Sequence, residues 1–138
     1  LIESLRDVCS RGEVFFRRAF DLLHKQNEML EELIELRVDR VLTSGCAATA
    51  LEGADCISEL RKSASGRIEI LPAGGIRAKT VVEVLGNTGC NQVHGTFKML
   101  QTDPAGCVCS GSYPVVDGKE VSAVRALMDG YQAMQHGS

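Results

Sequence analysis

Arg40-Val41-Leu42-Thr43-Ser44, closed by Gly45-Cys46 and followed at Thr49-Ala50-Leu51-Glu52 by a helix-opening pattern, decides how the rest of the chain is read. The first five residues are a short apolar run bounded by turn signals, which predicts a strand. Thr49 and Glu52 have capping-box spacing, in which two side chains satisfy amides that a helix start leaves without partners. An apolar face then continues through Leu51, Ala54, Ile57, Leu60 and Ala64, the spacing of an amphipathic helix. The segment reads as one βα unit.

The same order recurs on both sides of it. Strands are expected to begin at Val14 (running to Phe20), Arg67 (to Leu71) and Gln92 (to Phe97), so that strand starts recur every 25 to 27 residues. Glu28 to Leu36 carries Met29, Leu30, Leu33, Ile34 and Leu36 as an amphipathic stripe. Ala78, Val81, Val82 and Leu85 predict a short helix stopped at Gly86. Asp117-Gly118-Lys119-Glu120 is a second capping-box pattern, opening a last helix with Val121, Val124, Leu127, Met128 and Tyr131 on its face. Leu1 to Cys9 reads as the tail of an earlier helix, stopped at Arg11-Gly12.

This spacing suits parallel strands, which need a crossover of a dozen or more residues. Four parallel βα units with a leading helix stub predict an α/β fold, half of a (β/α)₈ TIM barrel, in one domain over residues 1–138. A small doubly wound open sheet shares the pattern and stays open as an alternative. The chain starts Leu1-Ile2-Glu3, without Met or a signal-peptide pattern, and so reads as a piece of something longer.

Composition excludes some classes of function. Lys and Arg number 15 against 18 Asp and Glu, aromatics are 4% and Trp is missing, so neither backbone tracking nor base stacking on nucleic acid is supported. Apolar runs fall far short of the roughly 20 residues that span a bilayer. Six cysteines (Cys9, Cys46, Cys56, Cys90, Cys107 and Cys109) allow disulfides, but a helix- and strand-rich chain fits reduced thiols of a cytoplasmic protein better.

Three segments carry a family resemblance. Val14-Phe15-Phe16-Arg17-Arg18-Ala19-Phe20-Asp21 resembles the strand-five motif of the CutC copper-homeostasis family, typically F-H-R-A-F-D. Asp39-Arg40-Val41-Leu42-Thr43-Ser44-Gly45-Cys46, with Ala50-Leu51-Glu52-Gly53 after it, resembles the family's strand-six motif and helix start. Leu71-Pro72-Ala73-Gly74-Gly75-Ile76 is similar to its glycine-rich strand-seven turn, and His94 falls where the family has a strand-eight histidine. The resemblance implies the C-terminal half, strands five to eight, of a cytosolic barrel linked to copper tolerance, with Cu(I) binding proposed for some members. Arg17 departs from the pattern by replacing the motif's histidine. Strands one to four have no counterpart here, and the thiols associated with copper belong to them, so copper binding does not carry over residue by residue.

Several residues are candidates for chemistry. Arg17 and Arg18 alternate along a strand and should point to opposite faces; the guanidinium fork suits carboxylate or phosphate, although an Arg–Asp21 pair that merely closes the strand end fits equally. Gly74 and Gly75 lie between a strand and a helix, where glycine lets backbone amides approach an anion or simply makes a tight turn. His94 shares its strand phase with Gln92 and Thr96, as a lumen-facing acid–base group or a hydrogen-bonded structural one. Arg17, Arg18, Gly74, Gly75 and His94 are the expected anion-binding set. Cys46 ends the Arg40 strand, and Lys98 to Val116 forms a 19-residue connection with Cys107-Val108-Cys109, either a surface loop or a lid. Soft thiolates favour Cu(I), so Cys46, Cys107 and Cys109 are the expected metal ligands, with Cys9, Cys56 and Cys90 left to packing.

Three functions follow as expectations. One is a copper-homeostasis protein binding Cu(I), the second a barrel enzyme acting on a small anionic or phosphorylated substrate, and the third a non-catalytic half-barrel that folds only as an oligomer. A half-barrel leaves open sheet edges and an uncovered inner face, which predicts a homo-oligomer.

Overall fold

The computed structural model describes residues 12–23, 25–102 and 111–137. Strands β1 (Phe15–Phe16), β2 (Arg40–Thr43) and β3 (Glu69–Pro72) form a parallel sheet in sequential order. Helix α1 (Gln26–Glu35) lies between β1 and β2, α2 (Ala54–Ala64) between β2 and β3, and α3 (Val81–Thr88) follows β3. Beyond them β4 (Lys98–Thr102) and β5 (Ser112–Val116) pair antiparallel, and α4 (Gly118–His136) follows. The chain is therefore an α/β protein built on a parallel sheet. Among the described residues no helix is long and apolar enough to cross a membrane.

Strand alternation separates the two faces of the sheet. Val41 and Ile70 stand opposite one another and pack with Leu30, Leu33, Ile57, Leu60, Val81, Val84 and Leu85 in one buried cluster. Fully burying a side chain of this kind is worth about 1.5–3 kcal/mol, so this face holds the helices on the sheet. Leu42 and Leu71, also register partners, form a separate buried cluster with Ala73.

The turns are set by backbone closure. Helix α1 ends where Arg37 adopts φ 55°, and the amides of Arg37 and Val38 return to Ile34 O and Leu33 O, each at 2.9 Å. That closure satisfies carbonyls the helix end would otherwise leave open and aims the chain into β2. After β2, Gly45 sits at φ +69°, and a Cβ on it would lie 2.2 Å from Gly53 O. A Cβ on Gly53 would in turn lie 2.0 Å from Ser44 O, so only glycine at both positions lets these segments cross.

Several expectations change. β1 is two residues long, because the chain turns at Arg18 into a 3₁₀ helix, Arg18–Leu22, that drops Phe20 into the core. Gln92 to Phe97 is not a strand; only His94 bridges Ala73 in parallel, its amide donating to Pro72 O at 2.8 Å. Among the described residues the parallel sheet thus has three strands rather than four, with one bridge of extension. The expected Lys98–Val116 loop holds the β4–β5 hairpin instead, and its central Cys107 and Cys109 lie outside the described residues, as do Leu1 to Cys9. Gly86 does not stop α3, which runs to Thr88 and closes at Gly89 with φ 69°. Thr49 Oγ1 accepts from Glu52 N at 3.3 Å, but in a turn ahead of α2. Asp117 caps α4 by accepting from the amides of Lys119 and Glu120, whereas the Glu120 carboxylate accepts from Ala78 N at 2.8 Å and ties α4 to the loop before α3.

Candidate functional site

The C-terminal ends of β1, β2 and β3 converge on one cleft of about 420 Å³, lined by Arg17, Arg18, Leu42, Gly74, Gly75, Arg77, His94 and Thr96 among others. All five residues expected to bind an anion line it. Arg17 and Arg18 were expected on opposite faces, but the turn at Arg18 breaks strand alternation and brings both to the same opening. The sequence reading missed Arg77, although it directly follows Gly74-Gly75-Ile76 and a guanidinium just past a glycine turn was a visible signal. Among the described residues no carboxylate lines the cleft.

Arg18 is held in place by a polar network across the two strand ends. Its Nε donates to Asp21 Oδ2 at 3.3 Å and its Nη2 to Ser44 Oγ at 2.8 Å. Asp21, only 9% exposed, also accepts from the Thr43 hydroxyl, from Ser44 N at 3.1 Å and from Cys46 N at 3.4 Å. Burial raises the Asp21 pKa, but donation from Thr43, Ser44 and Arg18 outweighs it and holds the carboxyl below its ordinary value. The Ser44 hydroxyl faces Asp21 Oδ2 at 3.0 Å and Ala47 O at 2.7 Å and is fully buried, so it serves as a strut. Arg17, by contrast, has no ion-pair partner among the described residues.

On the opposite wall Gly74 and Gly75 adopt φ +108° and +70°. Gly74 O accepts from Ala50 N at 2.9 Å, and Thr80 Oγ1 donates to Gly75 O at 3.1 Å, so neighbours on both sides fix the turn. A Cβ on Gly75 would lie 2.9 Å from Thr49 Cγ2. Arg77 Nη2 reaches Lys98 O at 3.3 Å, linking this wall to the hairpin. His94 is exposed at the rim.

Cys46 lies just past β2 at φ 58°, exposed and outside the cleft lining. Its Sγ is 2.7 Å from Gln26 Nε2, and the other end of the same amide, Oε1, accepts from Cys56 Sγ at 3.3 Å. Cys56 was expected only to pack; it is instead half-buried beside Cys46. Burial, Cys46 and the carboxylates of Glu59 and Asp21 push its thiol up. Cys46, Cys56 and Cys90 are free thiols, and Cys90 is buried, as expected of a packing residue. Among the described residues no three His, Cys, Asp or Glu side chains gather as a metal cluster.

Comparison with known proteins agrees with these motifs. A sequence model of the CutC family matches residues 2–99. A CutC family protein of Treponema denticola is 45% identical over 103 residues, 75% of this chain and 42% of that protein. A human copper homeostasis protein cutC homolog is 42% identical over 94 residues, 68% of this chain and 34% of that protein. The crystal structure of a CutC protein from Streptococcus agalactiae superposes with TM-score 0.63 at 30% identity, over 69% of this chain and 47% of that one. The chain spans less than half the length of these relatives. With the strand-five, strand-six and strand-seven motifs in order and the family match over residues 2–99, the chain belongs to the CutC family.

Proposed function

We propose that this chain serves copper homeostasis as the C-terminal half of a (β/α)₈ barrel, and that its cleft binds a small anion such as phosphate or a carboxylate. The copper role is supported by the names of the human and mouse relatives, both copper homeostasis protein cutC homologs. One observation carries the anion reading: Arg17, Arg18, Arg77 and His94 line one cleft, with no carboxylate among its described lining residues. Arg18 is oriented by Asp21 and Ser44, which reduces the conformational freedom lost on binding. Gly74 and Gly75 add backbone that approaches a ligand without a side chain in the way. In the enzymatic form of the same reading, His94, exposed at the rim, would exchange a proton with a bound phosphate ester.

Calorimetric titration with inorganic phosphate and sulfate tests it, using the parent chain, Arg17→Ala and Gly75→Val. A charge-assisted hydrogen bond is worth about 1.5–3 kcal/mol, so Arg17→Ala should weaken binding about tenfold or more. Gly75→Val should abolish it, because valine does not tolerate this φ and meets Thr49. Unchanged affinity in folded variants removes the cleft from consideration.

Cu(I) binding is a second reading, favoured by Cys46 and Cys56 on one amide, with Cys107 and Cys109 as further thiols in the chain. Free thiols at Cys46, Cys56 and Cys90 suit a cytoplasmic setting.

A further inference from the structure

We propose that Cys46 and Cys56 form a two-thiolate site for Cu(I), which enters by displacing the side chain of Gln26. The inference rests on the copper reading above and pairs Cys46, an expected ligand, with Cys56, which the sequence left to packing.

Both sulfurs contact the same primary amide, one at its nitrogen and the other at its oxygen. Gln26 therefore occupies the space between two soft donors. Its amide also reaches Phe20 O, at 3.5 Å, and belongs to the first turn of α1, so the side chain swings away without unwinding a helix interior. Cys46 is exposed and gives an ion access from solvent, while Cys56, in the first turn of α2, is half-buried and supplies a protected second donor. Two thiolates suffice for a soft monovalent ion that prefers sulfur to oxygen or nitrogen.

The local charge favours a cation. Glu59 and Asp21 both act on Cys56, so the carboxylates around the two sulfurs attract a positive ion. Binding forms two Cu–S bonds and breaks two S–H bonds, the protons passing to buffer. Copper stays Cu(I), and neither sulfur changes oxidation state. The bound ion neutralises the repulsion between the two sulfurs that opposes their joint ionisation in its absence.

The test is anaerobic Cu(I) competition against a chromophoric chelator, with the parent chain, Cys46→Ser, Cys46→Ser/Cys56→Ser, Cys107→Ser/Cys109→Ser and Gln26→Ala. The parent should bind one ion and release about two protons with it. Bound copper should also protect Cys46 and Cys56 from alkylation, read by peptide mass. The Cys46→Ser and Cys46→Ser/Cys56→Ser variants should lose about a hundredfold in affinity, the upper end of what loss of even an outer partner costs a metal site. Gln26→Ala should bind at least as tightly as the parent, because the displaced group is gone. Cys46→Ser alters only an exposed side chain, so its result does not depend on core packing. Loss of binding in Cys107→Ser/Cys109→Ser with parent affinity in the Cys46 and Cys56 variants overturns this site and leaves the copper reading standing. Absence of Cu(I) binding in the parent overturns both.

Discussion

The guanidinium of Arg18 donates to the hydroxyl of Ser44 at 2.8 Å across 26 positions of sequence, tying the end of β1 to the end of β2. Asp21 takes a bond from each of them, so one buried carboxylate sets the position of a cleft-lining cation.

Asp21→Asn keeps the side-chain shape and removes its charge. It should cost about 1–3 kcal/mol in urea denaturation, because the buried Thr43 and Ser44 donors lose a charged acceptor. The Arg18 contact adds little to that figure, since Arg18 is half exposed. The pH dependence has a fixed sign. Asp21 titrates lower when folded than when unfolded, so its stabilisation is complete above the ordinary carboxylate pKa, about 3.9, and is lost as pH falls through the folded value. The parent should lose stability below about pH 4, and Asp21→Asn should lack this part of the profile. Identical acid-unfolding curves for the two would contradict this assignment.

Two glycines with similar φ should respond differently to alanine. Gly45 and Gly66 have φ +69° and +76°, but a Cβ meets Gly53 O at 2.2 Å in the first and nothing within 4 Å in the second. Gly66→Ala should cost about 1–2 kcal/mol from conformation alone. Gly45→Ala adds a backbone clash and should exceed that by at least about 2 kcal/mol, measured by thermal or urea unfolding.

Asp117→Ala removes the cap that accepts from the amides of Lys119 and Glu120. A loss of about 0.5–2 kcal/mol is expected. Since Glu120 also holds Ala78 N, fraying should reach the loop before α3, visible as faster amide exchange at Ala78.

Self-association is expected through the hairpin. In the β4–β5 register Leu100 faces Pro114 across the ladder, and Val116 lies two residues on along the same face; Leu100 is 71% and Val116 67% exposed. An apolar strip of this kind favours pairing with a second copy. Sedimentation at tens of micromolar should show a dimer or larger species, and Leu100→Asp should shift it towards monomer. A parent chain that sediments as a monomer disproves the association.

The repeating units were legible in the sequence because apolar periodicity and turn residues act locally. β2, β3 and the stripes of α1 and α2 fall close to where the pattern places them, because each buries much of the face its sequence makes apolar, whereas α4 forms where expected but buries only Val124 of its stripe and leaves Val121 and Leu127 exposed. The glycine turn was legible for the same reason, since its backbone angles exclude other residues. Contacts between distant segments were not. Nothing local announces that Phe20 is drawn into the core and bends β1, which puts Arg17 and Arg18 on one cleft despite strand alternation. Nor does Cys56 differ in sequence from a packing cysteine, yet in the fold it and Cys46 contact the same Gln26 amide, 30 and 20 residues away. By itself the sequence determined which elements form, through periodicity, caps and glycines. Tertiary structure alone decided which side chains share a site, because burial of Phe20 and the crossing at Gly45 and Gly53 bring together residues that no spacing relates.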